Sequence, residues 1–383
     1  MNSPGNIDSD LPPGSETGRD TPSPWIAEAR LRAQRLTSSA FGSASEAVRF
    51  MGAVQAQDYA GAKWALALRS AHVTDGSLDR LYDEGAILRT HVLRPTWHFV
   101  HPEDVRWLLS LTGPRVQAGA AGRYRELELD RKTITRALTI FERQLSGARS
   151  LTRAELGQAL VAAHIAPDGQ RLPHLLMAAE LEGLIVSGPR RGKQHTWALL
   201  DERVPHARRL ERNEAVTELA RRYFHSHGPA QLQDFVWWSG LTLTDARRGV
   251  AMAGHGITRR TIDGNEYWFD EELVCDPSDR EAAHLLPNFD EYTVSYRDRS
   301  AMLHPDFPFR PELFGFSSIL SNVVIVGGRV CGSWRRTLIG DGVRVEVRLL
   351  GALDASERNR IVLACRSLAG FLERRLELEW SEA

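Results

Sequence analysis

Apolar and polar positions along this chain alternate with periods that pick out short helices and shorter strands. Helical spacing predicts helices over about 28–36, 44–53 and 77–84. Strand-like runs follow at 87–90 and 96–100, on either side of Arg94-Pro95, and a helical stretch covers 102–147. The same order recurs more sharply from Ser150. Thr152 with Glu155 three residues on is a capping-box start, Pro167-Asp168-Gly169 is a turn, and a helix over 172–182 closes at Gly183. Strand-like runs at 184–186 and 196–199 then flank the basic turn 188–193. A further copy has a helix over 211–226, a turn at 227–230, and helices over 232–238 and 243–253, the last opened by Thr242 or Thr244. Its hairpin runs 257–262 and 266–269 across Asp263-Gly264, a dipeptide suited to the left-handed positions of a tight turn. Helix, turn, helix and hairpin is the pattern of a winged helix.

The C-terminal part departs from it. Residues 322–326, 329–332 and 343–350 read as strands, with Gly327-Gly328 as a turn, and a helix over about 354–376 ends the chain. The first 24 residues, rich in Pro, Gly, Ser and Asp, carry too little apolar surface to order themselves. The fold class expected is mainly α with β wings. A disordered tail (1–24) precedes a first winged helix with a helical linker (25–148), a second (149–209) and a third (210–280). A β-rich, barrel-like domain with a covering helix (281–383) follows. The length of 383 residues fits this, since one hydrophobic core rarely grows past roughly 250–300 residues.

Composition narrows the functional classes. No run approaches about 18 apolar residues, so no membrane span is expected, and the N-terminus has no apolar core of a secretory signal. Cys275, Cys331 and Cys365 lie too far apart for a zinc site or disulfide framework, which suits a reducing cytoplasm. The formal charge is −1, but only Lys63, Lys132 and Lys193 among the 48 basic residues are lysines. A GC-rich genome explains that bias. The arginines also form local clusters, at 190–212 (Arg190, Arg191, Lys193 and others) and at 329–348 (Arg335, Arg336 and others), as a local polyanion site would require.

Chemical motifs are mostly absent. The chain has no phosphate-cradling GxxxxGK[ST], no HExxH, no CxxC and no GxSxG, so neither a metal nor a cofactor is expected. His225 and His227 read as structural or solvated. Three segments stand out. Gln55-Ala56-Gln57 follows the predicted helix 44–53. Side chains at i and i+2 diverge on a helix and share a face of an extended segment, so the two glutamines converge only where the chain leaves the helix. Taken alone, such a pair caps a helix or faces solvent more often than it catalyses. Arg94-Pro95-Thr96-Trp97-His98 sets a tryptophan and a histidine in a strand, as a cleft wall or a packed strand. Asp290-Glu291 lies near Arg297 and Arg299, as an ion-pair network or a phosphate contact.

Together with Ala179-Glu180-Leu181, Ser226-His227-Gly228-Pro229-Ala230, Trp237-Trp238-Ser239-Gly240 and Leu286–Tyr292, these segments resemble the tandem winged-helix DNA glycosylases, over about 28–375. The resemblance implies a C-shaped channel for duplex DNA, built from three winged helices and a β-barrel. It also implies a catalytic Gln-apolar-Gln motif, which falls on Gln55 and Gln57. A sister branch has Asp in the second position, so this chain resembles the azinomycin-resistance branch. The expected activity is monofunctional release of cationic N7-alkylpurines from alkylated or crosslinked duplex DNA, by a cytoplasmic, nucleoid-associated monomer. Cleft-lining positions are Asp58, Arg94, Thr96, Trp97 and His98. DNA contacts are expected from Arg190, Arg191, Lys193, Arg297, Arg299, Arg335 and Arg336. A lyase would need an amine, for which Lys63 is the exception to watch. The rival is a non-enzymatic winged-helix regulator, which binds DNA and releases no base.

Overall fold

The structure, a computed structural model, describes residues 24–37, 40–304 and 322–382; all but Pro24 of the expected N-terminal tail lies outside them. The first unit comprises α1 (Pro24–Ala33), α2 (Ala44–Met51), β1 (Val54–Gln55), α3 (Tyr59–Ala67), α4 (Asp75–Glu84), β2 (Leu88–Val92) and β3 (Arg94–Val100). Ser43 caps α2 by accepting from the Glu46 N–H, and Gly52, at φ +81°, takes the chain out of the helix in a conformation that L side chains resist. Helix α2 therefore stops before the glutamines, two residues short of the predicted end. Helix α3 was not legible in the pattern: its sequence, YAGAKWALA, is apolar on nearly every side. Strands β1, β3 and β2 form an antiparallel sheet in that order.

Helices α5 (Val105–Glu126) and α6 (Arg131–Leu145) lead to the second unit, β4 (Leu151–Thr152), α7 (Arg153–Ala162), α8 (Arg171–Leu181), β5 (Ile185–Arg191), β6 (Gln194–Leu199) and α9 (Leu200–Arg203). The predicted capping box forms, Thr152 and Glu155 each satisfying the other's backbone N–H. The turn expected at 188–193 narrows, because β5 runs on through Arg191. The third unit holds α10 (Arg212–His227), α11 (Leu232–Ser239), α12 (Leu243–Ala253), capped by Thr242, and the hairpin β7 (Ile257–Ile262) and β8 (Asn265–Asp270).

The C-terminal part corrects two expectations. Strands β9 (Ala283–Leu286), β10 (Val323–Val326), β11 (Arg329–Ile339) and β12 (Gly342–Leu349) surround α13 (Glu291–Val294) in sequence and precede α14 (Ala355–Phe371) and β13 (Arg375–Glu382). The final helix stops at Phe371, and Arg375–Glu382 is a strand paired parallel to β12. Its Leu376, Leu378 and Trp380 alternate with charged residues, a period of two that the run of helix formers before it obscured. Among the described residues the sheet, ordered β13-β12-β11-β10-β9, stays open and is no closed barrel. Helix α14 carries the chain from β12 to β13 and packs on this sheet, leaving β9 and β13 as separate edges.

Two large cores bind these parts together. One joins Leu93, Val100 and Trp107 to Tyr223, Phe224, Trp238, Tyr292 and Val323. The other packs α2 and α3 against the C-terminal sheet and α14, through Met51, Trp64, Val324, Val345 and Phe371. Around β1, Ala53 belongs to the first core and Val54 and Ala56 to the second.

Candidate active site

The site is built on the three-stranded sheet. Gln55 lies opposite His98 on β3, and His98 lies opposite Thr90 on β2. Residues directly opposed in antiparallel strands present their side chains to one face. Thr96 and Arg94 share that face by their spacing of two along β3. Gln55, Thr90, Thr96, His98 and Arg94 thus form one polar surface.

Both carboxamides reach neighbouring residues of β3. The Gln55 Nε2 donates to Thr96 Oγ1 at 3.5 Å, and the Trp97 N–H donates to Gln57 Oε1 at 3.4 Å. Such lengths are weak hydrogen bonds, so the amides are lightly held. Between them Ala56 is locked: its N–H donates to Trp97 O at 2.7 Å and its carbonyl accepts from Arg89 Nε at 3.0 Å. Gln57 is exposed, whereas Gln55 is 8% exposed and its Oε1 is buried without a hydrogen-bond partner. Asp58 turns away to cap α3, accepting from the Gly61 N–H at 3.0 Å. Its role in the structure is that of a helix cap beside the site.

The backbone of Gln55 is anchored by a residue 236 positions away: its N–H donates to Glu291 Oε1 at 2.6 Å. Glu291 also accepts from Trp238 Nε1 at 2.9 Å, from the Ser295 hydroxyl and from His227 Nε2 at 3.3 Å. Burial alone would raise its pKa, but the hydrogen bonds and charge of this ring of donors hold the carboxyl down at about 2. His98 shows the opposite balance. Burial, reinforced by the Arg94 charge, pushes its imidazole down to about 3, so the ring is neutral. Its Nδ1 faces Thr96 O at 2.9 Å, a carbonyl that can only accept, so Nδ1 carries the proton and Nε2 is a bare, buried acceptor.

The sequence missed Glu291, His227 and Trp238 as supports, because no local spacing announces contacts across such separations. The ion-pair network expected of Asp290 and Glu291 with Arg297 and Arg299 has other partners: Asp290 grips Arg69 at 2.8 and 2.9 Å, and Glu291 meets His227. His225 bonds Asp270. A cavity of about 560 Å³ opens beside the β2–β3 turn, lined by Arg94, Pro95 and Trp97 with Arg115, Met177 and Gly240; neither glutamine lines it.

The basic residues are unequal. Arg190 is held by Asp79 and Asp83 at 2.8 and 2.9 Å, Arg191 by Glu155 at 2.7 Å, and Arg335 by Glu346. Arg191 and Arg335 remain exposed in these pairs, whereas Arg190 is largely covered. Lys193, at the tip of β5–β6, and Arg297 are exposed, and Arg336 is half-buried. Arg299 donates to Thr293 O at 2.8 Å. Lys63 lies buried between Asp75 and Asp79, 2.7 Å from each.

Comparison with known proteins follows from this geometry. A family model described as DNA glycosylase AlkZ-like matches residues 48–371. A protein of Streptomyces sahachiroi named "Interstrand DNA cross-link repair glycosylase" is 26% identical over 333 residues, covering 80% of this chain and 85% of that one. The solved structure of Streptomyces sahachiroi DNA glycosylase AlkZ superposes with a TM-score of 0.76 at 21% identity, covering 94% of this chain and 99% of that one. That structural match speaks for the fold.

Proposed function

The chain belongs to the AlkZ-like DNA glycosylase family, and we propose that it is a monofunctional glycosylase that removes cationic N7-alkylated purines from duplex DNA and unhooks crosslinks built through them. The observation that carries this reading is a pair of lightly held carboxamides that reach the adjacent residues Thr96 and Trp97 of β3, one with a buried, unpartnered oxygen. The name of the Streptomyces sahachiroi relative supports the crosslink part.

Glutamines suit this leaving group. An amide is a poor general base, and a neutral purine would need an acid to leave. Alkylation at N7 makes the purine cationic. The C1′–N9 bond then breaks with its electron pair going to the base, which departs neutral. The oxocarbenium-like sugar is captured by water, whose oxygen bonds C1′ and whose proton passes to solvent. Amide oxygens of Gln55 and Gln57 face the developing positive charge and orient that water. The neighbouring carboxylate, Glu291, is engaged with four donors, so its part is to hold the Gln55 backbone. A Schiff-base route through Lys63 would first have to free the amine from two carboxylates.

We read the three helix-and-hairpin units as winged helices, over 25–148, 149–209 and 210–280, lining a channel for duplex DNA with the domain over 281–383. Lys193, Arg297 and Arg336, which make no ion pair among the described residues, are the best supported of the expected phosphate contacts, ahead of Arg190, Arg191 and Arg335. Binding is expected to be salt-dependent with little sequence preference, by a monomer acting in the cytoplasm at the nucleoid. No helix among the described residues is long and apolar enough to cross a membrane.

The test is incubation with duplex DNA carrying one N7-methylguanine. The reading expects free base, an intact strand until alkali is added, and no borohydride-trapped adduct. Tight binding with no released base would favour the regulator instead, and an adduct lost in Lys63→Ala would replace the water mechanism.

A further inference from the structure

Arg94 carries a charge that the fold leaves uncompensated. Among the described residues its Nε and Nη2 are buried and make no hydrogen bond, and no carboxylate pairs with it. Glu291 is the acid whose field it feels, but that carboxylate is already shared among Gln55, Trp238, Ser295 and His227. Buried charges are ordinarily paired or bound to a ligand. Arg69 and Arg222, buried arginines of the same protein, each have a carboxylate partner.

A second cation adjoins the first. Among the described residues Arg299 bonds the Thr293 carbonyl and makes no ion pair. Burial, and then the Arg94 charge, lowers its pKa, so the two guanidiniums feel one another. Both lie against one indole: Arg94 Cζ is 5.8 Å and Arg299 Cζ 5.6 Å from the Trp237 ring centre. Trp237 is 39% exposed, and its Nε1 is fixed to Val294 O at 3.0 Å. An aromatic face holds cations in place without neutralising them. Two like charges held against one neutral platform favour an anion between them, and planar guanidinium forks match phosphate oxygens.

Position identifies the anion. Arg94 lies two residues along β3 from Thr96, on the same face, and Thr96 touches Gln55. Two strand residues span about 6.6 Å, and a DNA strand carries one phosphate per about 3.4 Å of helix axis. We propose that Arg94 and Arg299 clamp a single backbone phosphate of the damaged strand, within one or two linkages of the nucleotide presented to Gln55 and Gln57. The inference rests on the glycosylase reading of that site. The clamp supplies the counter-ion that the free protein lacks, and it fixes the sugar relative to the glutamines.

The experiment is a neutral-linkage scan. Duplexes carry one N7-methylguanine and one methylphosphonate, stepped along the damaged strand, and affinity is measured for wild type, Arg94→Gln, Arg94→Lys and Arg299→Gln. One neutral linkage beside the lesion should weaken wild-type binding about 10- to 100-fold, the worth of a charge-assisted contact, and should leave Arg94→Gln and Arg299→Gln nearly unaffected. Each of these variants should lose about 0.9 from the slope of log affinity against log salt, with Arg94→Lys recovering most of it. The melting temperature of free Arg94→Met should hold or rise, since an unpaired buried charge is removed; a purely structural Arg94 predicts a fall. Equal penalties for wild type and variants at every linkage, or an unchanged slope, would overturn the clamp while leaving the glycosylase reading intact. Failure of wild type to release base would overturn that reading, and the affinity scan would still decide the clamp.

Discussion

The two faces of the sheet β1-β3-β2 are made from the same strands and treat their polar groups in opposite ways. On one face Arg89 stacks on Trp97, with Cζ 4.3 Å from the ring centre, and donates to Ala56 O. His91 packs on the same indole at 4.5 Å. Its backbone N–H and ring Nδ1 both meet Glu180, whose other oxygen accepts from Trp197 Nε1 at 2.6 Å. This network ties the first unit to the second. On the other face Gln55 Oε1, Thr90 Oγ1, His98 Nε2 and two nitrogens of Arg94 are buried without partners. Unmade hydrogen bonds cost stability. The first face is completed by the protein's own groups, and the second leaves its polar atoms without a protein partner among the described residues.

The comparison predicts distinct responses on the two faces. The largest change in stability should come from the completed one. Glu180→Ala strips three donors of their acceptor, breaking a buried charged network, which costs about 3–5 kcal/mol. Denaturant unfolding should show that loss, while single-turnover base release per folded molecule stays near wild type. A large drop in rate without loss of stability would move the site to the Glu180 face.

An intermediate effect is expected from pH. Burial holds His98 neutral down to about 3 and His284 down to about 4. The unfolded chain takes up these protons near pH 6.5, whereas the folded chain does not. Stability is therefore complete above about pH 6.5 and declines as pH falls toward 4, by about 1.4 kcal/mol for each unit of depression. His98→Asn should flatten much of the decline in melting temperature between pH 7.5 and 5. An unchanged pH profile would mean that His98 is protonated and partnered in the folded state.

The smallest effect belongs to Thr90. Its hydroxyl has no partner, so Thr90→Val should change stability by less than about 1 kcal/mol, in either direction. A cost above about 2 kcal/mol in thermal unfolding would show that this face is hydrogen-bonded after all, and the contrast between the faces would collapse.

Much of this was legible where the signal is local. The capping box Thr152–Glu155 and the Asp263-Gly264 hairpin depend on residues a few positions apart and formed as read, and of the two threonines offered as the cap of α12 it is Thr242 that serves. The requirement that the chain leave its helix before Gln55 followed from side-chain geometry, and Gly52 meets it. What escaped was non-local. Glu291 reaches Gln55 from 236 residues away, and Glu180 reaches His91 from 89. The strand Arg375–Glu382 needs β12 as a neighbour before it is a strand at all. The basic clusters hid their own pairings: density of arginine in sequence gave no sign that Arg190, Arg191 and Arg335 meet acids, nor that Arg94, isolated in sequence, has buried nitrogens without a partner.

The central claim is that Gln55 and Gln57 act on the departing base and the attacking water, and do not merely finish a helix end. Its most direct test is single-turnover release of N7-methylguanine by Gln55→Ala and Gln57→Ala, read beside their melting temperatures and DNA affinities. Each variant should release base roughly 10- to 1000-fold more slowly, as when one preorganised polar group is removed, with affinity and melting temperature close to wild type. Gln57→Asp should keep partial activity, because a carboxylate also faces an oxocarbenium ion, and Gln57→Glu should lose more through its displaced oxygen. Two alanine variants that release base at the wild-type rate, with any loss confined to melting temperature, would contradict the account.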